Sequence, residues 1–140
     1  AMASSTVGID IECIDRKNDV LAIANNYFFG AEYEELMSFP EAERRNRFFD
    51  YWTLKEAYMK ARGEGLSLGL SNFGFQLLNG IQLDLSEKVD DDPGHWRFYC
   101  SSPEADYKLA LAIKGLVQPN FIVREVVPQQ KESLLNWKIS

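Results

Sequence analysis

Residues 40–63 read PEAERRNRFFDYWTLKEAYMKARG, and the reading of this stretch decides the fold. Proline stands at its start, where a helix accepts it. Good helix formers fill the interior, and Gly63 falls where a left-handed C-terminal cap belongs. The stretch predicts one helix of about five to six turns. Upstream, Val7–Glu12 predicts a short strand whose period of two puts Val7, Ile9 and Ile11 on one face and Asp10 and Glu12 together on the other. Between the two, residues 20–29 and 31–37 predict short helices, the second acidic at its start as the helix dipole favours.

Downstream the pattern changes from helical to extended. Phe73–Leu78 and Ile81–Leu85 flank Asn79-Gly80, which predicts a hairpin with a two-residue turn. Strands are predicted at Trp96–Ser101, Tyr107–Lys114 and Phe121–Val127, with an acidic, proline-containing loop from Glu87 to Gly94. The sum is an α+β domain: an antiparallel sheet of about three to five strands packed against the long helix. Residues 1–6 read as a tag or frayed tail, 7–128 as one domain, and 129–140 as a polar tail with a short helix through Leu134, Leu135 and Trp137.

The composition removes several function classes. A chain of 140 residues that is 46% hydrophobic buries one core, which argues for a single domain. Its net charge of −6 argues against a general nucleic-acid binder, which needs basic surface to displace counterions from phosphates. No apolar run approaches the roughly 20 residues of a membrane span, and the N-terminus lacks the regions of a signal peptide. Cys13 and Cys100 stand far apart without metal-ligand spacing, so a reducing cytoplasm is the expected setting.

Asp10 and Glu12 place two carboxylates about 6 to 7 Å apart along one strand face. Together with Glu56 they could share a hard cation such as magnesium, which takes oxygen ligands and keeps positions open for water and phosphate. Lys60 lies one helical turn beyond Glu56, placed to reach a phosphate on that metal. An inert reading stands beside each piece. Asp10 and Glu12 also suit the solvated side of an edge strand. Glu56 and Lys60 form a common i, i+4 pair, and Phe48, Phe49, Trp52 and Met59 suit a core. Asp90-Asp91-Asp92 with His95 is a rival metal site, although adjacent Asp residues beside Pro93-Gly94 more often form a solvated turn.

The two motifs taken together, Gly8-Ile9-Asp10-Ile11-Glu12 and Trp52-Thr53-Leu54-Lys55-Glu56-Ala57-Tyr58-Met59-Lys60, lie 56 − 10 = 46 positions apart from Asp10 to Glu56. As a pair they resemble the signature of the 4'-phosphopantetheinyl transferase superfamily. Phe28-Phe29-Gly30-Ala31-Glu32-Tyr33 and Ala61-Arg62-Gly63-Glu64-Gly65-Leu66-Ser67-Leu68 resemble its surfactin-type branch. The resemblance runs from about Val7 to Phe75 and corresponds to the C-terminal half of such an enzyme.

The resemblance implies transfer of the phosphopantetheine arm of coenzyme A to a serine of an acyl or peptidyl carrier protein, releasing 3',5'-ADP. It implies magnesium on Asp10, Glu12 and Glu56, with Glu56 as base for the serine hydroxyl. Lys60 and Lys55 would face phosphate, and Gly63 and Gly65 would let the backbone approach it. The carrier protein would dock near the apolar segment Ile14–Phe29. Surfactin-type enzymes have two similar halves with coenzyme A between them, and only the second half resembles this chain. The opposing half is therefore expected from a missing N-terminal half, or from a neighbouring copy as in the shorter branch's trimers. The first is favoured here because the chain starts close to the boundary between halves. The alternative is a non-catalytic carrier-protein-binding domain, inactive without a partner half; an unrelated α+β domain is the third possibility.

Overall fold

The computed structural model describes residues 6–15 and 18–115. In chain order its elements are β1 (Thr6–Cys13), α1 (Val20–Tyr27), α2 (Gly30–Met37), α3 (Glu41–Arg62), β2 (Phe73–Gln76), β3 (Gln82–Leu85), β4 (Trp96–Ser101) and β5 (Tyr107–Lys114). Short 3-10 turns at Gly65–Leu68, Leu70–Asn72 and Pro93–His95 join them. The expected strand Phe121–Val127 and the C-terminal helix through Leu134, Leu135 and Trp137 lie outside the described residues.

Helix α3 forms where the sequence predicts it, capped at Pro40 and ended by Gly63 at φ 75°, whose N–H bonds to the Met59 carbonyl at 3.0 Å. It packs across an antiparallel sheet of order β1-β5-β4. Phe48, Phe49, Leu54, Tyr58 and Met59 are buried in the core beneath it, and Trp52 packs against them partly exposed.

The alternation in β1 is as predicted, and its sense is informative. Gly8, Asp10 and Glu12 turn toward α3 and are buried, whereas Val7 is 41% exposed and Ile9 and Ile11 are half-buried. The inert reading of a solvated acidic face therefore does not hold. Gly8 is what allows the approach: a Cβ there would lie 2.0 Å from the Ala57 carbonyl oxygen and 2.6 Å from the Ala61 nitrogen. Only a residue without a side chain lets the strand backbone rest against the helix backbone.

The hairpin forms with a different turn. Gln76 pairs with Gln82, so five residues, 77–81, make the connection and the strands are shorter than expected. The cause is competition for a backbone donor: the Leu77 N–H goes to Glu35 Oε1 at 2.8 Å rather than into the ladder. The Phe75 N–H likewise goes to Glu32 Oε2 at 2.8 Å, so two acids of α2 satisfy the outer edge of β2. Among the described residues the β-structure is thus two antiparallel sheets, of three and two strands, around the long helix.

The loop before β4 corrects another expectation. Asp91 is not part of a solvated turn; its side chain is 3% exposed. Its Oδ2 accepts from the Tyr58 hydroxyl, from Trp96 Nε1 at 2.9 Å and from Arg62 Nη1 at 3.0 Å. The loop is thereby tied to the end of α3. Asp92 serves locally, accepting from the Gly94 N–H at the 3-10 turn.

Lys55 is the clearest departure. Its side chain is fully buried, and Nζ donates to Glu32 Oε1 at 2.7 Å, to the Leu70 carbonyl at 2.7 Å and to the Phe73 carbonyl at 2.6 Å. Burial pushes the Lys55 amine down and the Glu32 carboxyl up to about 7, each opposed by the other's charge. Three acceptors require three N–H donors, which only the ammonium carries, so the geometry describes an ion pair. Lys55 knits α2, α3 and the segment entering β2 together.

Two outcomes follow from these buried charges. Lys55→Met leaves Glu32 buried without its counter-charge and should cost roughly 3–5 kcal/mol in urea unfolding, much of it recovered by adding Glu32→Gln. A loss under about 1 kcal/mol would contradict the account. For Asp91, burial alone would raise the carboxyl, but hydrogen bonds from Tyr58, the Asp92 N–H, Arg62 and Trp96 outweigh it and hold the group below its ordinary 3.8. A depressed acid stabilises above its unfolded value and loses that contribution as pH falls. Melting temperature should therefore drop below pH 3.8 in the wild type, and Asp91→Asn should shrink that acid-induced loss while destabilising the protein at neutral pH.

Candidate active site

The site is built where β1 crosses α3. Because Gly8 seats the strand on Ala57 and Ala61, the next inward residue, Asp10, arrives beside the helical turn that carries Glu56 and Lys60. Lys60 Nζ donates to Asp10 Oδ1 at 2.7 Å. Asp10 is 4% exposed, and its Oδ2 is buried with no hydrogen-bond partner among the described residues. An unsatisfied buried carboxylate oxygen costs on the order of 1–3 kcal/mol or more, so its presence points to an absent cationic or donor ligand.

The electrostatics bind the four groups into one cluster. Glu56 is half-buried, and its carboxyl is raised first by burial and then by the charge of Asp10, against the pull of Lys60. Burial would lower the Lys60 amine, but its hydrogen bond and charge interaction with Asp10, then the charges of Glu56 and Glu12, raise it. Glu12 is buried on the same face of β1, opposite Lys108 in the β1–β5 register. Lys108 itself pairs with Asp50 at 2.9 Å.

Among the described residues, no three His, Cys, Asp or Glu side chains already converge as a metal-holding group, here or around Asp90, Asp91, Asp92 and His95. The donor set nevertheless suits magnesium. It offers carboxylate oxygens, one of them buried and unsatisfied, and no thiol or imidazole. Lys60, the cation bonded to Asp10, has a side chain that is 53% exposed.

Of the residues singled out in the sequence, Asp10 and Lys60 are brought into contact, with Glu56 and Glu12 near enough for their charges to act on Lys60. Lys55 is not: it faces the far side of the helix with its protons consumed, and no phosphate can reach it. Gly65 sits at φ 57° in the 3-10 turn beyond α3, with open space where a side chain would project. Gly63 is the helix cap. In the segment expected to meet a partner, Val20, Ala24 and Phe28 are core, Leu21 and Ile23 are partly buried, and Tyr27 is 52% exposed.

Sequence reasoning missed the supports. Glu32, Glu35, Gly8 and Gly74 received no role, yet a Cβ on Gly74 would lie 2.6 Å from Phe29 Cβ and 3.1 Å from the Glu32 side chain. Their partners are 16 to 53 residues away in sequence, beyond any local pattern. Arg62, near the end of α3, is held by Asp91 and Glu64.

The chain is 36% identical over 114 residues to the 4'-phosphopantetheinyl transferase psf-1 of Bacillus pumilus, covering 81% of this chain and 47% of that protein. It is 32% identical over 111 residues to the 4'-phosphopantetheinyl transferase Sfp of Bacillus subtilis, covering 79% and 48%. The chain thus spans about half the length of these curated relatives. Two solved structures share the fold. An apo-ACPS structure has TM-score 0.58 and 17% identity, covering 79% of this chain and 95% of that one. An ACPS–CoA complex from Chronobacterium ammoniagenes has TM-score 0.57 and 19% identity, covering 83% and 100%. The family model described as the 4'-phosphopantetheinyl transferase superfamily matches residues 6–112, and the chain belongs to that superfamily.

Proposed function

We propose that this chain forms the acidic wall of a magnesium-dependent 4'-phosphopantetheinyl transferase active site, acting on coenzyme A and an acyl or peptidyl carrier protein. The observation that carries the reading is the Asp10–Lys60 contact beside Glu12 and Glu56, with one buried Asp10 oxygen left without a hydrogen-bond partner among the described residues. The family supplies the substrate class, and the ACPS–CoA complex of the same fold supports coenzyme A as donor.

Asp10, Glu12 and Glu56 would hold magnesium, which when bound supplies positive charge to the pyrophosphate. Lys60, half-exposed and one turn from Glu56, is the group able to follow charge onto the departing phosphate. Glu56, directly or through a water, takes the proton of the carrier serine hydroxyl as its oxygen bonds to phosphorus and the bridging oxygen leaves with 3',5'-ADP. Burial and the neighbouring Asp10 raise its proton affinity, which suits a base. The open backbone at Gly65 allows close approach of phosphate. Exposed Tyr27, with the partly buried Leu21 and Ile23, offers the carrier protein an apolar foothold.

The opposing wall for coenzyme A belongs, in this reading, to a second half: the chain is acidic, at −6, and spans about half of the longer relatives. A missing N-terminal half is favoured over a neighbouring copy of this chain. By itself the chain should bind coenzyme A weakly in calorimetry with magnesium; tight, saturable binding would refute the half-enzyme reading.

Incubation with apo carrier protein, coenzyme A and magnesium, followed by mass spectrometry, tests the activity. Addition of one phosphopantetheine group by the wild type and none by Glu56→Gln is the expected result. A carrier complex without modification would instead favour a binding domain inactive without its partner half.

A further inference from the structure

We propose that Lys60 is a resident substitute for the metal: without a divalent cation its ammonium occupies Asp10 Oδ1, and cation entry frees it to meet the incoming phosphate. The inference rests on the cation reading of Asp10, Glu12 and Glu56 given above. It adds a competition inside the site that this reading does not require.

Three observations carry it. Asp10 is buried, yet only one of its oxygens is served, by Lys60 Nζ at 2.7 Å; Oδ2 has no partner. The carboxylate is therefore half-satisfied by a cation that is not a metal. Second, the two lysines of the motif differ in freedom. Lys55 is locked by three acceptors and is fully buried, whereas Lys60 has one bonded acceptor among the described residues and a side chain 53% exposed. Its ammonium can leave Asp10 and remain hydrated, at little cost to the fold. Third, Lys60 bonds Asp10 and lies one helical turn from Glu56, two of the groups that would surround the cation. A divalent ion entering among them meets the ammonium both as a competitor for Asp10 and as a like charge.

The consequence is a linkage. Lys60 weakens metal binding in the absence of phosphate, and the metal, once bound, raises the availability of Lys60 for phosphate. Reciprocity requires the two effects to have equal magnitude. One side chain then makes the site prefer metal and phosphate together over metal alone.

The test uses Mn2+ as the probe, titrated into the full chain without coenzyme A and followed by electron paramagnetic resonance, with circular dichroism to verify folding. Lys60→Met should bind Mn2+ roughly three- to tenfold more tightly than wild type. Lys60→Arg, which keeps charge and reach, should stay near wild type. The tightening should persist in about 1 M salt, where the screening length falls to about 3 Å, because competition for one oxygen is a contact effect rather than a distant field. A second readout needs no variant: in 15N spectra of the lysine ammonium groups, the Lys60 signal should lose its protection as Mg2+ is added to the wild type. Equal or weaker Mn2+ binding by Lys60→Met, with clear binding by wild type, overturns this inference alone. Absence of saturable binding in wild type, Lys60→Met and Glu56→Gln alike overturns the cation reading and this inference with it.

Discussion

Everything at the candidate site depends on how closely β1 lies on α3. Gly8 sets that distance, because the space of its missing side chain is filled by the Ala57 carbonyl and the Ala61 amide. Two backbones in near contact leave no room for water between strand and helix at that point. The next inward residue, Asp10, is consequently buried against the turn bearing Glu56 and Lys60 instead of facing solvent. A larger residue at position 8 would separate the elements and dissolve the cluster without altering any of its charged members.

The helix places two lysines five residues apart into opposite environments. Successive residues turn by about 100°, so Lys55 and Glu56 point in different directions although they are neighbours in sequence. Lys55 enters the space between α2 and β2, where Glu32 and two carbonyls receive it. Lys60 stays at the rim with a single bonded partner on β1. The first arrangement is rigid and holds the scaffold; the second is poised and half-satisfied. Among the described residues the two ammonium groups differ in the number of acceptors they meet, three for Lys55 and one for Lys60.

These particulars explain what the sequence could and could not reveal. The long helix, its glycine cap and strands β4 and β5 were readable because propensity, capping chemistry and alternation act locally. That Asp10 and Glu12 share a face of β1, and that Glu56 and Lys60 share one of α3, followed from a period of two on the strand and an i, i+4 step on the helix; that the two pairs meet was expected only from the family resemblance. The burial of Lys55 was not readable, since Glu32 lies 23 residues upstream in an ordinary acidic helix start. The turn of the hairpin was misjudged because Glu35, 42 residues away, captures the Leu77 amide. Asp91 looked like a turn residue because its partners Tyr58 and Arg62 come from the far end of α3. In each case a side chain from a distant segment competes successfully with the local rule.

The central claim is that the unsatisfied oxygen of Asp10 marks a divalent-cation site shared with Glu12 and Glu56. Anomalous scattering from crystals soaked in Mn2+ tests it most directly. The account predicts a single strong peak bridging Asp10, Glu12 and Glu56 at ligating distances of about 2.2 Å, with Lys60 withdrawn from Asp10. No peak there, or a peak confined to Asp90, Asp91, Asp92 and His95, would contradict it.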